Sequence, residues 1–111
     1  MSKKLENKVC TACEEGDEPM PDSEAEEMLK EIPGWEIVEG GEKIRREYKL
    51  DDFQTSMDLV NNVAEIAEQE RHHPDIYIWY DTVRLDLTTH EVGGLTENDF
   101  IVAAKINTLE K

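Results

Sequence analysis

Between the paired Asp51-Asp52 and Pro74, the apolar residues Phe53, Met57, Val60, Ala64 and Ala67 recur at i, i+4 and i+7 spacing, and Leu59, Val63 and Ile66 widen the stripe. Residues so spaced share one helical face, so the pattern predicts an amphipathic helix of about 20 residues, or ~30 Å. The aspartates supply its cap, and it must stop near His72-His73 because Pro74 pushes the residue before it out of the helical region. A helix with one apolar stripe needs a surface to cover, and the flanking segments supply one. Before it come Trp35-Glu36-Ile37-Val38-Glu39 and Gly40-Gly41, after which Ile44, Arg46, Tyr48 and Leu50 alternate with Lys43, Arg45, Glu47 and Lys49. After it, Ile76, Ile78 and Tyr80 alternate with Tyr77 and Trp79; past a turn near Asp81, Val83, Leu85 and Leu87 alternate with Arg84, Asp86 and Thr88. Period-2 alternation on either side of a turn predicts a β-hairpin in each place.

Shorter helices flank this pattern. Ser23 and Glu26 are placed as a capping box for Ala25, Met28, Leu29 and Ile32, a run that Pro33-Gly34 ends. Thr96 and Asp99 repeat the signature ahead of Phe100, Val102, Ala103, Ile106 and Leu109. The predicted order is helix, hairpin, long helix, hairpin, helix. Hairpins give antiparallel pairs and the helices must cover one face, so the expected fold is a two-layer α+β domain. Trp35, Trp79 and Tyr80 are expected in packing positions. A length of 111 residues suits a single domain, set at 20–111. Residues 1–19, polar and acidic with scattered apolar positions, are expected to form a flexible tail.

Charge narrows the function. The 27 acidic and 12 basic residues leave a formal charge of -15, which repels phosphate backbones and anionic headgroups and argues against direct binding of nucleic acid or membrane surfaces. No apolar run approaches the ~18 residues of a membrane span and the first residues lack a signal-peptide core, so a cytoplasmic location is expected. Cys10 and Cys13 have the spacing of half a zinc site or a redox pair, yet Glu14, Glu15, Asp17 and Glu18 follow them and disfavour a thiolate.

His72, His73 and His90 are the chain's histidines. A structural reading is available for each: cations suit the last turn of a helix, and His90 sits at a strand end open to solvent. A functional reading is also available, because imidazole, near ~6.5 when unperturbed, is the side chain best suited to exchange protons at neutral pH. A metal site built from the three histidines and Glu68 competes with it, against which stands the absence of an i, i+4 histidine pair.

Glu68, three residues, His72-His73-Pro74, five residues, Tyr80, nine residues, His90, eight residues and Asp99 together resemble the motif of the pterin-4a-carbinolamine dehydratases. The resemblance extends over about residues 20–111 and takes in Pro33-Gly34-Trp35, Arg45-Arg46-Glu47-Tyr48 and Thr89-His90-Glu91 followed by Gly94-Leu95-Thr96. It implies a four-stranded antiparallel sheet with helices on one face, assembled as a homodimer or homotetramer. It also implies loss of water from a 4a-hydroxytetrahydropterin, such as 4a-hydroxytetrahydrobiopterin, to give the quinonoid dihydropterin without metal or organic cofactor. By position, His72, His73 and His90 would be catalytic, with His73 the first choice for base and His90 or His72 for acid. Pro74, Thr89 and Glu91 match substrate-contacting positions, and Glu68 would orient His72. Asp99 has a second reading as a helix cap with Thr96. Two non-catalytic alternatives share the fold: a dimerisation cofactor of transcription factors, and a pterin-binding accessory of molybdopterin metabolism. Retention of all three histidines favours the enzyme.

Overall fold

The computed structural model describes residues 5–8 and 18–110. The first hairpin is β1 (Glu36–Val38) and β2 (Lys43–Lys49), and the second is β3 (Asp75–Trp79) and β4 (Thr82–Leu87). They join through β2 and β4 into one antiparallel sheet of order β1-β2-β4-β3. The register pairs Ile44 with Leu87, Arg46 with Leu85 and Ile76 with Leu85, so the even-numbered residues of β2 and β3 share a face with the odd-numbered ones of β4. That face carries the buried Ile44, Val83, Leu85 and Leu87 and is covered by helices α1 (Asp22–Leu29), α2 (Phe53–Glu70) and α3 (Glu97–Asn107). The fold is thus the expected α+β domain with a four-stranded antiparallel sheet and helices on one face. On the other face, Asp86 is buried under Arg45, which donates to both its oxygens at 2.7 and 3.1 Å, with Arg84 at 3.4 Å. Among the described residues no helix is long and apolar enough to cross a membrane.

α3 is the central helix, with Phe100, Ile101, Val102, Ala103 and Ile106 all buried. α2 is amphipathic as predicted, and its inward stripe keeps Leu59, Val60, Val63, Ile66 and Ala67 of the expected one but not Phe53 or Ala64. Ser56, Val63 and Ala67 are buried with Leu59, Val60 and Ile66 partly so, while Phe53 and Ala64 face out. The cap sets this rotation: Asp52 accepts from the Thr55 N–H at 2.8 Å, and the inward Ser56 hydroxyl donates to the Asp52 carbonyl at 3.0 Å. α2 also ends before the proline acts. Arg71 takes the left-handed conformation (φ 53°, ψ 38°) directly after Glu70, three residues ahead of Pro74.

The Ser23–Glu26 capping box does not form. Pro21, extended at φ -61° and ψ 148°, is the N-cap and makes no side-chain bond, which places Ser23 already inside the first turn of α1. The box at α3 does form: Thr96 is the N-cap, and Asp99 reaches back to accept the Thr96 N–H at 3.0 Å.

A clamp ties β1 and β2 to the end of α3. Trp35 Nε1–H and an Arg46 guanidinium N–H both donate to Asn107 Oδ1, at 2.9 and 2.6 Å, while Asn107 Nδ2 donates to the Pro33 carbonyl at 3.1 Å. Gly34 sits at φ 93°, where a Cβ would lie 2.7 Å from the Arg46 guanidinium carbon. Trp35 is buried, as expected. Trp79 and Tyr80 are not: Trp79 stands exposed with Tyr77 and Ile78 along β3, an edge strand, and Tyr80 is exposed in the turn that follows it. The period of 2 assigns the strand correctly, whereas exposure follows from its place at the sheet's edge.

The lead-in is not wholly a free tail either. Leu5 is buried in the core, Lys8 pairs with Glu97 at 2.8 Å, and the Met20 N–H donates to the Leu95 carbonyl at 2.7 Å. In the sequence Leu5 is one apolar residue among charges, yet one leucine suffices to dock a segment against α3. Cys10 and Cys13 lie outside the described residues.

Candidate active site

The end of α2, the end of β4 and the start of α3 meet at one rim of the molecule. Arg71, His72, His73, Thr88, His90 and Glu91 line a cavity of about 160 Å³ there. Larger hollows of about 400 and 380 Å³ occur on the open sheet face and between α2 and α3, but neither is lined by an imidazole. For proton transfer the histidine-lined cavity is the one with suitable chemistry.

His72 is the inner imidazole. Its side chain is 11% exposed and its Nε2 lies 2.6 Å from Oδ1 of Asp99, which is fully buried. The other Asp99 oxygen, Oδ2, accepts the Thr89 hydroxyl at 2.9 Å and the Thr96 N–H at 3.0 Å. Asp99 therefore both caps α3 and holds His72, so the two readings of this residue are one arrangement. With Nε2–H donated to the carboxylate, Nδ1 is the nitrogen left to His72.

His73 is the outer imidazole, 58% exposed, with Nε2 at 2.5 Å from Glu68 Oε2. The sequence spacing had set Glu68 against His72, and the structure sets it against His73. The left-handed Arg71 is the reason: it breaks the helical rotation after Glu70, so His72 leaves the α2 face that holds Glu68 and turns towards α3. His90 is exposed on the turn that closes between Thr89 and Gly94.

Of the substrate-contacting positions, Glu91 lines the cavity. Thr89 is fully buried and its hydroxyl engages Asp99 and Thr96, so its side chain supports the site from behind. Pro74 lies next to the lining residues without being one of them. Sequence reasoning missed Arg71 and Thr88. Arg71 could have been suspected from adjacency to the histidine pair, while Thr88 looked like one more outward residue of a strand. Among the described residues, no three His, Cys, Asp or Glu side chains gather as a group able to hold a metal ion.

An open antiparallel sheet backed by helices, with paired imidazole–carboxylate contacts at its rim, defines an α+β protein with a site suited to proton transfer. The family model described as pterin 4 alpha carbinolamine dehydratase matches residues 18–109, and the chain belongs to that family. A relative from Methylococcus capsulatus, whose name places it in the same family, is 40% identical over 105 residues, covering 95% of this chain and 92% of that protein. Pterin-4-alpha-carbinolamine dehydratase 2, mitochondrial, of Arabidopsis thaliana is 38% identical over 110 residues, covering 96% of this chain and 59% of its own. The crystal structure of a transcriptional coactivator/pterin dehydratase from Brucella melitensis superposes with a TM-score of 0.79 at 35% identity, over 84% of this chain and 99% of that one.

Proposed function

We propose that the chain is a hydro-lyase that eliminates water from a 4a-hydroxytetrahydropterin, 4a-hydroxytetrahydrobiopterin being the type substrate, in pterin recycling. The observation that carries this reading is the convergence of His72, His73 and His90 on one cavity, two of them braced by separate carboxylates. In the reaction a base removes the N5 proton, the N5 electron pair forms the C4a=N5 bond, and the C4a–O bond breaks as an acid protonates the departing hydroxyl. Water and the quinonoid dihydropterin result, and atoms and charge balance without a metal or organic cofactor.

His73 serves as base, since Glu68 at its Nε2 can hold the ring and leave Nδ1 free to accept a proton. His90 serves as acid from the facing turn, with His72 packed behind them. Pro74, Thr89 and Glu91 complete the substrate pocket, Glu91 through its side chain and Thr89 through the carboxylate it holds. Loss of a chemically generated 4a-hydroxytetrahydropterin, followed by absorbance, tests the reading: catalytic amounts of protein should accelerate it well above the spontaneous rate.

The cellular setting follows the same line: a cytoplasmic homodimer or homotetramer with a pterin as its small-molecule partner. Support for assembly comes from β3, whose outer edge has no neighbouring strand among the described residues and carries the exposed Tyr77, Ile78 and Trp79. The acidic composition supports a protein that binds neither nucleic acid nor membrane surfaces directly. Coactivation, which the name of the Brucella melitensis protein includes, is the second reading, and the same exposed edge is the feature that would serve it.

A further inference from the structure

In a chain with 27 acidic and 12 basic residues, a cation without an acidic partner is uncommon, because carboxylates outnumber cations more than two to one. Lys8, Lys30, Arg45, Lys49, Arg84 and Lys105 each pair with a carboxylate, and Arg46 is engaged by Asn107 and Pro33. Among the described residues, Lys43 and Arg71 are the basic side chains with no hydrogen bond or ion pair.

Arg71 stands at the histidine cavity as one of its lining residues, and Lys43 is the strand neighbour of a second. Lys43 opens β2, where the pairing of Ile44 with Leu87 sets it beside Thr88, another lining residue, and the Thr88 hydroxyl donates to the carbonyl of neighbouring Glu42 at 2.6 Å. The backbone at Arg71 adds an independent observation. Its φ of 53° is a conformation that glycine and asparagine adopt readily and arginine adopts at a cost. The turn it makes sets the arginine side chain beside His72 among the residues that line the cavity.

From these observations, and resting on the proposed pterin site, we infer that Arg71 and Lys43 select substrates whose pterin ring carries an anionic substituent, a phosphate ester or a carboxylate. The imidazoles act on the ring, and the two cations receive the charged group at the rim. A guanidinium offers a forked pair of donors that matches phosphate or carboxylate oxygens, and the lysine adds a point charge. Stabilisation of the α2 C-terminus by Arg71 would be a purely structural role, and it would alter the melting temperature without altering the choice between ligands.

The test measures binding of three stable pterins to the full chain by fluorescence: 6-hydroxymethylpterin, neopterin triphosphate and pterin-6-carboxylate. At low salt at least one anionic pterin should bind about fivefold or more tightly than the neutral one, and the margin should shrink as salt rises. Comparing the two anionic pterins identifies phosphate or carboxylate as the preferred group. The margin should vanish in the Arg71→Gln/Lys43→Gln double variant and persist in Arg71→Lys/Lys43→Arg, with both variants checked for folding by circular dichroism. Equal binding of all three pterins, or a margin that survives the glutamine variant, overturns the inference while leaving the pterin site intact. Failure of every pterin to bind overturns the reading of the site itself, and this inference with it.

Discussion

His72 and Asp99, 27 positions apart in sequence, meet at 2.6 Å between Nε2 and Oδ1, and the same carboxylate caps α3 through Oδ2. One buried side chain thus fixes where a helix begins and which way an imidazole points. Replacing Asp99 by Asn keeps an oxygen for the cap but offers His72 a donor where it had an acceptor. The fold should survive, and turnover should fall about tenfold or more through misorientation of the imidazole. Asp99→Ala should in addition lose about 1–3 kcal/mol of stability, because the buried Thr89 hydroxyl and the Thr96 N–H both lose the carboxylate oxygen they donate to. Urea melts and initial rates on the two variants separate these effects. Equal activity of wild type and Asp99→Asn would contradict a positioning role.

Much of this architecture was legible in the sequence, and the failures have physical causes. Alternation located all four strands because the side-chain period of a strand is fixed at 2. Helical spacing located α2 and most of its inward stripe, but it set Phe53 and Ala64 inward where they face out, because the inward Ser56, a polar residue bonded to its own helix start, rotates the buried face towards Leu59, Val63 and Ile66. The pairing of Glu68 with His73 was hidden by Arg71, whose left-handed turn has no glycine or asparagine to announce it. Asp99 could be read as a cap because a cap is local; its contact with His72 depends on tertiary packing and left no local trace.

Leu5 is expected to matter for stability although it precedes the matched family region. It is 4% exposed and packed in the main core, so Leu5→Ala should cost about 2–5 kcal/mol. Removal of residues 1–8 should lower the thermal midpoint for the same reason. A truncated protein that melts with the full chain would contradict the docking of this segment.

The N-cap of α2 predicts a pH dependence. The Thr55 backbone N–H, and next the Thr55 hydroxyl, hold the Asp52 carboxyl below its ordinary value of 3.8. A carboxyl depressed in the folded state contributes stability that is complete above its unfolded value and is lost as pH falls through the folded one. Asp52→Asn should therefore lose less stability than wild type on acidification below about pH 4. Parallel acid melts of the two proteins would contradict the assignment.

Assembly should depend on the β3 edge. Sedimentation of the wild type at micromolar concentration should give a species larger than the 12.8 kDa chain, and Ile78→Lys with Trp79→Lys should shift it towards monomer. A wild-type monomer would contradict the oligomer, and an unchanged oligomer in the double variant would move the interface elsewhere.

The most direct test of the account is the initial rate of dehydration of a 4a-hydroxytetrahydropterin by chelator-treated wild type, His73→Ala and the His73→Ala/His90→Ala double variant, with circular dichroism as the folding control. Histidine acid–base catalysis predicts full activity after chelation, a loss of about 10²-fold or more in His73→Ala, and a rate near the spontaneous one in the folded double variant. Activity abolished by chelation and restored by zinc, or full activity in the folded double variant, would contradict it.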